Sequence, residues 1–111
     1  MEADRRALIM GNPVARAFAV IGDAWTQLIL REAFYGVRRF TDWCERLGIP
    51  KSALADRLQR LVASGVFDLA EREYRLSDMG RDLYGVAVMQ GLWERYHAAI
   101  HRLSFACGRH R

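Results

Sequence analysis

The stretch "IPKSALADRLQRLVASG", residues 49–65, reads as one amphipathic helix. Leu54, Leu58, Leu61 and Val62 recur at i, i+4, i+7 and i+8, the spacing of a stripe that faces a core. Gly65 ends the pattern. The remaining positions near its N-terminal end are Lys51, Ser52, Ala53, Asp56, Arg57 and Arg60. Charged residues off the apolar stripe of an isolated helix are ordinarily a solvated surface. The neighbouring elements therefore decide what this second face is for.

Immediately upstream, "TDWCERLG" (41–48) is a short helix with Thr41 or Asp42 at its start, where an acid suits the macrodipole, and Gly48 at its close. Before it, "AWTQLILREAFYG" (24–36) follows Asp23 as N-cap, carries Leu28, Ile29 and Phe34 inward, and stops at Gly36. Further back, "NPVARAFAVIG" (12–22) opens with Asn12 as N-cap and Pro13 at the first helical position. It runs through Val14, Ala17, Phe18 and Ile21 as a first core helix and stops at Gly22. Downstream, "VFDLAEREYRL" (66–76) alternates apolar and polar residues and predicts a two-stranded hairpin. "SDMGRDLYGVAVMQGLWERYHAAIHRL" (77–103) then predicts one long helix, capped by Ser77 with Asp78 in its first turn, despite Gly85 and Gly91. A short helix, a Gly-containing turn and a second amphipathic helix make a helix-turn-helix, and a hairpin directly after them is a wing. The predicted fold class is mainly α with a small β-hairpin, a winged helix-turn-helix.

Composition narrows the function. At 111 residues the chain suits a single domain that folds on its own core. Cys44 and Cys107 sit far apart, a usage that fits a reducing compartment and predicts no bridge. The N-terminal residues lack the apolar core of a signal peptide and no run reaches membrane-spanning length, so a soluble, cytoplasmic protein with no membrane partner is expected. Net charge is +4, and it is unevenly placed. Residues 37–60 hold six basic residues (Arg38, Arg39, Arg46, Lys51, Arg57, Arg60) against three acids, while 101–111 add Arg102, Arg109 and Arg111 with no acid. An anionic partner is permitted by this distribution. There is no glycine-rich phosphate loop, paired-carboxylate motif or nucleophile with a base, so no catalytic residue and no enzyme are expected. His97, His101, Cys107 and His110 lie close in sequence, but a basic surround disfavours a cation, and neither a metal nor a cofactor is expected.

Three stretches, "NPVARAFAVIGDAWTQLILREAFYGVRRF", "LADRLQRLVASGVF" and "YRLSDMGRDL", occur in an order and spacing that resembles the HxlR-type family of bacterial winged helix-turn-helix transcription regulators, over about residues 12–97. The resemblance implies a homodimer whose terminal helices form the interface, with the helix of 49–65 from each subunit in the major groove of a palindromic operator. Three features depart from the family pattern. Asn12 stands where relatives commonly carry a cysteine before the proline, so thiol sensing by that route is not expected. About eight residues separate Gly65 from Tyr74, a shorter wing than usual and without the Pro- and Arg-containing tip. The sequence also runs on past the last clear family element into "SFACGRHR".

Within this reading, N-terminal residues of a recognition helix reach base edges. Arg57 is expected to pair bidentately with guanine, Ser52 to be base-tolerant, Ala53 to touch a thymine methyl, and Asp56 to accept from cytosine or orient Arg57. Lys51 and Arg60 suit phosphates, as do Arg38, Arg39 and Thr41 at the preceding helix start, and Arg72 and Arg75 on the wing. The wing also carries Asp68, Glu71 and Glu73, so it would meet a phosphate backbone with as much repulsion as attraction. The dimer interface is expected to use Leu8, Ile9, Val14, Phe18, Met89, Leu92, Trp93, Tyr96, Ile100 and Leu103, because the last helix is apolar on more than one face. Trp25, Trp43 and Tyr74 read as core anchors.

The expected organisation is one domain over 1–111. Its helix-turn-helix core spans about 23–65, the short wing about 66–76, the dimerisation helix about 77–103 and the basic tail 104–111. The expected partners are double-stranded DNA and a second copy of the chain, with room for a small-molecule effector. The expected function is repression, by excluding polymerase from a palindrome with half-sites about one or two DNA turns apart. The rival is a winged-helix protein-interaction module with weakened DNA binding. A continuous positive band joining Arg38, Arg39, Lys51, Arg57 and Arg60 would favour DNA, and acidic interruption the rival.

Overall fold

The structure, a computed structural model, describes the backbone of residues 2–108 and the side chains of residues 4–7 and 11–98. In chain order the elements are α1 (Glu2–Gly11), α2 (Pro13–Ile21), α3 (Ala24–Phe34), α4 (Phe40–Leu47), α5 (Lys51–Ala63), β1 (Phe67–Ala70), β2 (Glu73–Leu76), α6 (Asp78–Asp82) and α7 (Tyr84–Gly108). The chain divides into two compact units, residues 1–81 and 82–111. The first contains a winged helix-turn-helix; the second is essentially α7.

The capping residues act as their chemistry dictates. Asn12 Oδ1 accepts from the Val14 and Ala15 N–H groups at 2.9 and 3.1 Å, satisfying two donors at the start of α2. Asp23 does the same for α3, taking the Thr26 N–H at 2.9 Å and the Thr26 hydroxyl at 2.7 Å. Gly48 ends α4 at φ 63°, a left-handed conformation that lets the chain turn at once into α5. The start of α4 differs from expectation. Arg39, extended at φ −114°, is the N-cap and Phe40 the first helical residue, so Thr41 and Asp42 lie inside the first turn. Asp42 still faces the positive end of the macrodipole there.

One core joins α3, α4, α5 and the root of the hairpin. Leu54, Leu58 and Leu61 of α5 are fully buried, with Ile29 and Leu30 of α3, Trp43 of α4, Ile49 in the turn, and Val66 and Phe67. Each such leucine contributes on the order of 2 kcal/mol by leaving water. Trp43 is the centrepiece: its Nε1–H donates to the Ile29 carbonyl at 3.1 Å, and its ring packs 5.8 Å from Phe67 and 5.9 Å from Tyr74. The inward stripe of α3 is shifted from the expected one, since Leu30 and Ala33 are buried while Leu28 and Phe34 are half-exposed.

The wing is a minimal antiparallel hairpin. Its pairs run from Phe67 with Leu76 to Ala70 with Glu73, leaving a two-residue loop. Both loop residues, Glu71 and Arg72, have positive φ (53° and 65°), the type I′ geometry that suits the strand twist. The wing is anchored to the preceding elements at its base and again near its tip. Val66 N–H donates to Leu61 O at 2.9 Å, and Tyr74 N–H to the carbonyl of Arg38, just before α4, at 2.7 Å.

Three expectations change. The segment before Asn12 is a helix of its own, α1, although its short apolar run between charges gives no periodicity. The stretch expected as one long helix is broken at Leu83 into α6 and α7. α6 is fastened by the Ser77 hydroxyl, which takes the Gly80 N–H at 3.0 Å, and Gly80 lies so close to the Val66 carbonyl that a Cβ there would collide with it. Finally, α2 is not a core helix of the single chain: Ile21 is buried, but Val14 and Phe18 are 64% and 61% exposed.

Candidate nucleic-acid interface

With Leu54, Leu58 and Leu61 fixed inward, the 3.6-residue period leaves Ser52, Asp56, Gln59 and Ala63 along the opposite face of α5. Ser52, Gln59 and Ala63 are exposed, as are Lys51, Ala55 and Arg60 on the flanks, while Ala53 is half-buried. Gln59 and Ala55 escape a reading confined to the N-terminal turn. Projection of the whole helix from its leucine stripe finds both. A Gln at such a position can form two hydrogen bonds to adenine, and an exposed Ala can meet a thymine methyl.

Arg57 is less accessible than its place near the start of α5 suggests. Its side chain is only 25% exposed. Nη1 donates to Asp56 Oδ2 at 3.3 Å. Nε lies 3.5 Å from Asp23 Oδ1, an ion pair without hydrogen-bond geometry, and has no other acceptor in its buried position. The guanidinium thus spans from α5 to the N-cap of α3. Burial raises the Asp23 pKa, but the Thr26 backbone and hydroxyl hydrogen bonds and the Arg57 charge outweigh it and hold the carboxyl below its usual 3.8. On the far side of the core, burial likewise raises Glu32, and Arg46, with Nε at 2.7 Å, together with Arg31 brings it below 4.5. That pair ties α3 to α4 and is structural.

The remaining cations fall into two groups. Arg60 lies 3.1 Å from Asp56 Oδ2, Arg39 lies 3.7 Å from Glu73 Oε1, and Arg75 lies 3.1 Å from Glu73 Oε2. Arg38, Lys51 and Arg72 are exposed and have no carboxylate within ion-pair distance among the described residues. The positive band from Arg38 to Arg60 that would favour DNA is interrupted at Asp56 and Glu73. Between the α4 start and the wing tip, Arg39, Phe40, Thr41, Glu71 and Arg72 line a depression of about 320 Å³. A second, apolar one of about 440 Å³ lies between α5 and the wing, with Ala55, Gln59, Leu69 and Tyr74 in its walls. The outward face of the hairpin alternates Asp68 with Arg75 and Ala70 with Glu73, so it carries no excess of positive charge.

The side chains expected at a dimer interface are exposed in the single chain wherever they are described. Besides Val14 and Phe18 these are Met89 at 66%, Leu92 at 44%, Trp93 at 63% and Tyr96 at 73%. Trp93 stacks on His97 one turn on, with centroids 4.8 Å apart. The side chains of Leu8, Ile9, Ile100 and Leu103 lie outside the described residues, as do those of His101 and Cys107, residues 109–111, and the side chains of the basic tail as a whole. Among the described residues no group of His, Cys, Asp or Glu is placed to hold a metal ion, and no helix is long and apolar enough to cross a membrane.

Comparison with known proteins agrees with this geometry. The family pattern described as HxlR-like helix-turn-helix matches residues 20–101. Over 90 residues the chain is 46% identical to Rv3095 of Mycobacterium tuberculosis, named as an uncharacterized HTH-type transcriptional regulator; the match covers 75% of this chain and 57% of that protein. This chain thus spans little more than half the length of the curated relatives it matches. Among solved structures, PA1607, described as a candidate transcription factor, superposes with a TM-score of 0.70 at 42% identity, covering 76% of this chain and 63% of the other. Quinone-bound YodB from B. subtilis gives a TM-score of 0.70 at 26% identity, covering 75% and 96%.

Proposed function

This chain belongs to the HxlR-like helix-turn-helix family, and from that premise we propose that it is a sequence-specific DNA-binding transcription regulator. It acts in the cytoplasm as a homodimer that represses by occupying a palindromic operator. The observation that carries the reading is the second face of α5, where Ser52, Ala55, Gln59 and Arg60 stand exposed beside the unpaired Lys51 and Arg38. α5 enters the major groove, Ser52 and Gln59 meet base edges, and Arg38, Arg39, Thr41 and Lys51 hold phosphates. Arg72 at the wing tip closes the depression beside Arg39 and contributes a single phosphate contact. Arg57 positions α5 against α3 and does not read bases. The exposed faces of α2 and α7 pair two copies, so residues 23–65 supply the reading module, 66–76 the wing and α7 the dimer contact.

A second reading, a module that pairs with another protein and binds DNA weakly, is favoured by the acidic interruption at Asp56 and Glu73. Fluorescence anisotropy of a labelled DNA duplex, titrated at several salt concentrations, separates the two. The regulator reading predicts log K falling linearly with log salt, and a slope shallower by about two per subunit, about four for the dimer, in an Arg38→Ala, Lys51→Ala double variant. Absence of binding even at low salt contradicts it.

A further inference from the structure

Not all arginines of this surface are free charges. Two carboxylates hold four of them: Asp56 Oδ2 receives Arg57 at 3.3 Å and Arg60 at 3.1 Å. Glu73 spans Arg39 at 3.7 Å and Arg75 at 3.1 Å with its two oxygens. The acids are differently placed. Asp56 sits midway along the outward face of α5, between Ser52 and Gln59, where base edges would lie. Glu73 sits on the wing, facing the start of α4, where the phosphate backbone would lie. Together they neutralise arginines on both elements, α5 and the α4–wing edge, that the DNA-binding reading turns toward the duplex.

We infer that Asp56 and Glu73 are specificity-determining residues, carboxylates that hold the interface arginines away from phosphates and so suppress binding to DNA that lacks the operator. This rests on the DNA-binding reading above. Non-specific binding comes almost wholly from cations replacing counterions on phosphates. An arginine already neutralised by a carboxylate releases fewer counterions on contact, and its partner acid is carried toward the backbone with it. Arg60 and Arg39 therefore gain little from phosphates alone. On the operator, hydrogen bonds from Ser52 and Gln59 to base edges supply the free energy that displaces the pairs. Asp56 discriminates a second time, since a carboxylate accepts from the cytosine amino group and is repelled by the acceptor edge of guanine.

The test uses the full chain and its Asp56→Asn and Glu73→Gln variants, with anisotropy measured on a short duplex of scrambled sequence. Partly exposed ion pairs add modestly to folding, so both variants are expected to retain the native fold, checked by thermal unfolding. Each variant is expected to bind the scrambled duplex more tightly by about eightfold for each subunit in contact at about 0.1 M salt, with a salt slope steeper by about one per subunit. Two variants on separate elements keep the result readable if one misfolds. Wild-type binding with unchanged affinity and slope in both variants overturns the inference and leaves the DNA-binding reading standing. If none of the three proteins binds DNA at low salt, the DNA-binding reading itself fails and takes the inference with it.

Discussion

Arg57 illustrates how a tertiary partner decides the work of a side chain. By residue type and place in the helix it suits guanine, with the neighbouring Asp56 as the one partner visible within residues 49–65. Its second partner, Asp23, caps a helix that starts far upstream, so their meeting is invisible until α3 and α5 are packed. Gln59 is the converse case: its outward position follows from the leucine stripe alone and was legible from the start. The two residues make opposite predictions. Arg57→Ala should lower stability by about 1 kcal/mol and weaken all DNA binding alike, without changing base preference. Gln59→Ala should leave stability unchanged and relax preference at one A·T pair by about 1 to 3 kcal/mol. Thermal unfolding, with binding to a set of single-base operator variants, checks both.

At the scale of elements, punctuation residues were the readable part. Asn12, Asp23, Gly48 and Ser77 each cap or end a helix as expected, because capping is local chemistry between a side chain and the next few backbone groups. What depended on distant contacts was not readable: the break at Leu83, and the shift of the α3 stripe to Leu30 and Ala33. The wing combines both situations. Its shortness is plain from the count between Gly65 and Tyr74, but the type I′ turn is not, since Glu71 and Arg72 are poor residues for positive φ. Holding them there costs on the order of 1 kcal/mol each. Replacing the pair by Asn-Gly (Glu71→Asn with Arg72→Gly) should raise stability by about 1 to 2 kcal/mol and remove one phosphate contact. Denaturant unfolding and the salt slope of DNA binding measure the two effects.

For the molecule as a whole, the apolar surface left uncovered is the main feature to be explained. Phe18 on α2 and Met89, Trp93 and Tyr96 on α7 are large, exposed and periodic. That α7 has more apolar surface than one small core needs was visible in the sequence. That α2 turns Val14 and Phe18 outward was legible only in part: the sequence placed both on a core stripe and in the dimer contact, because a stripe at helical spacing looks the same whether it meets its own chain or another copy. Under the proposed function these faces are the dimer contact, and Phe18→Asp or Tyr96→Asp should shift the protein to a monomer at micromolar concentration, seen by light scattering. The same shift should abolish tight operator binding while preserving weak, salt-sensitive attachment to DNA, since each monomer keeps its α5. The central claim, a dimer reading DNA through paired α5 helices, is tested most directly by selecting bound duplexes from a random pool and sequencing them. A palindrome with half-sites about one or two helical turns apart should be enriched. No enrichment, or a single unrepeated site, would contradict that claim.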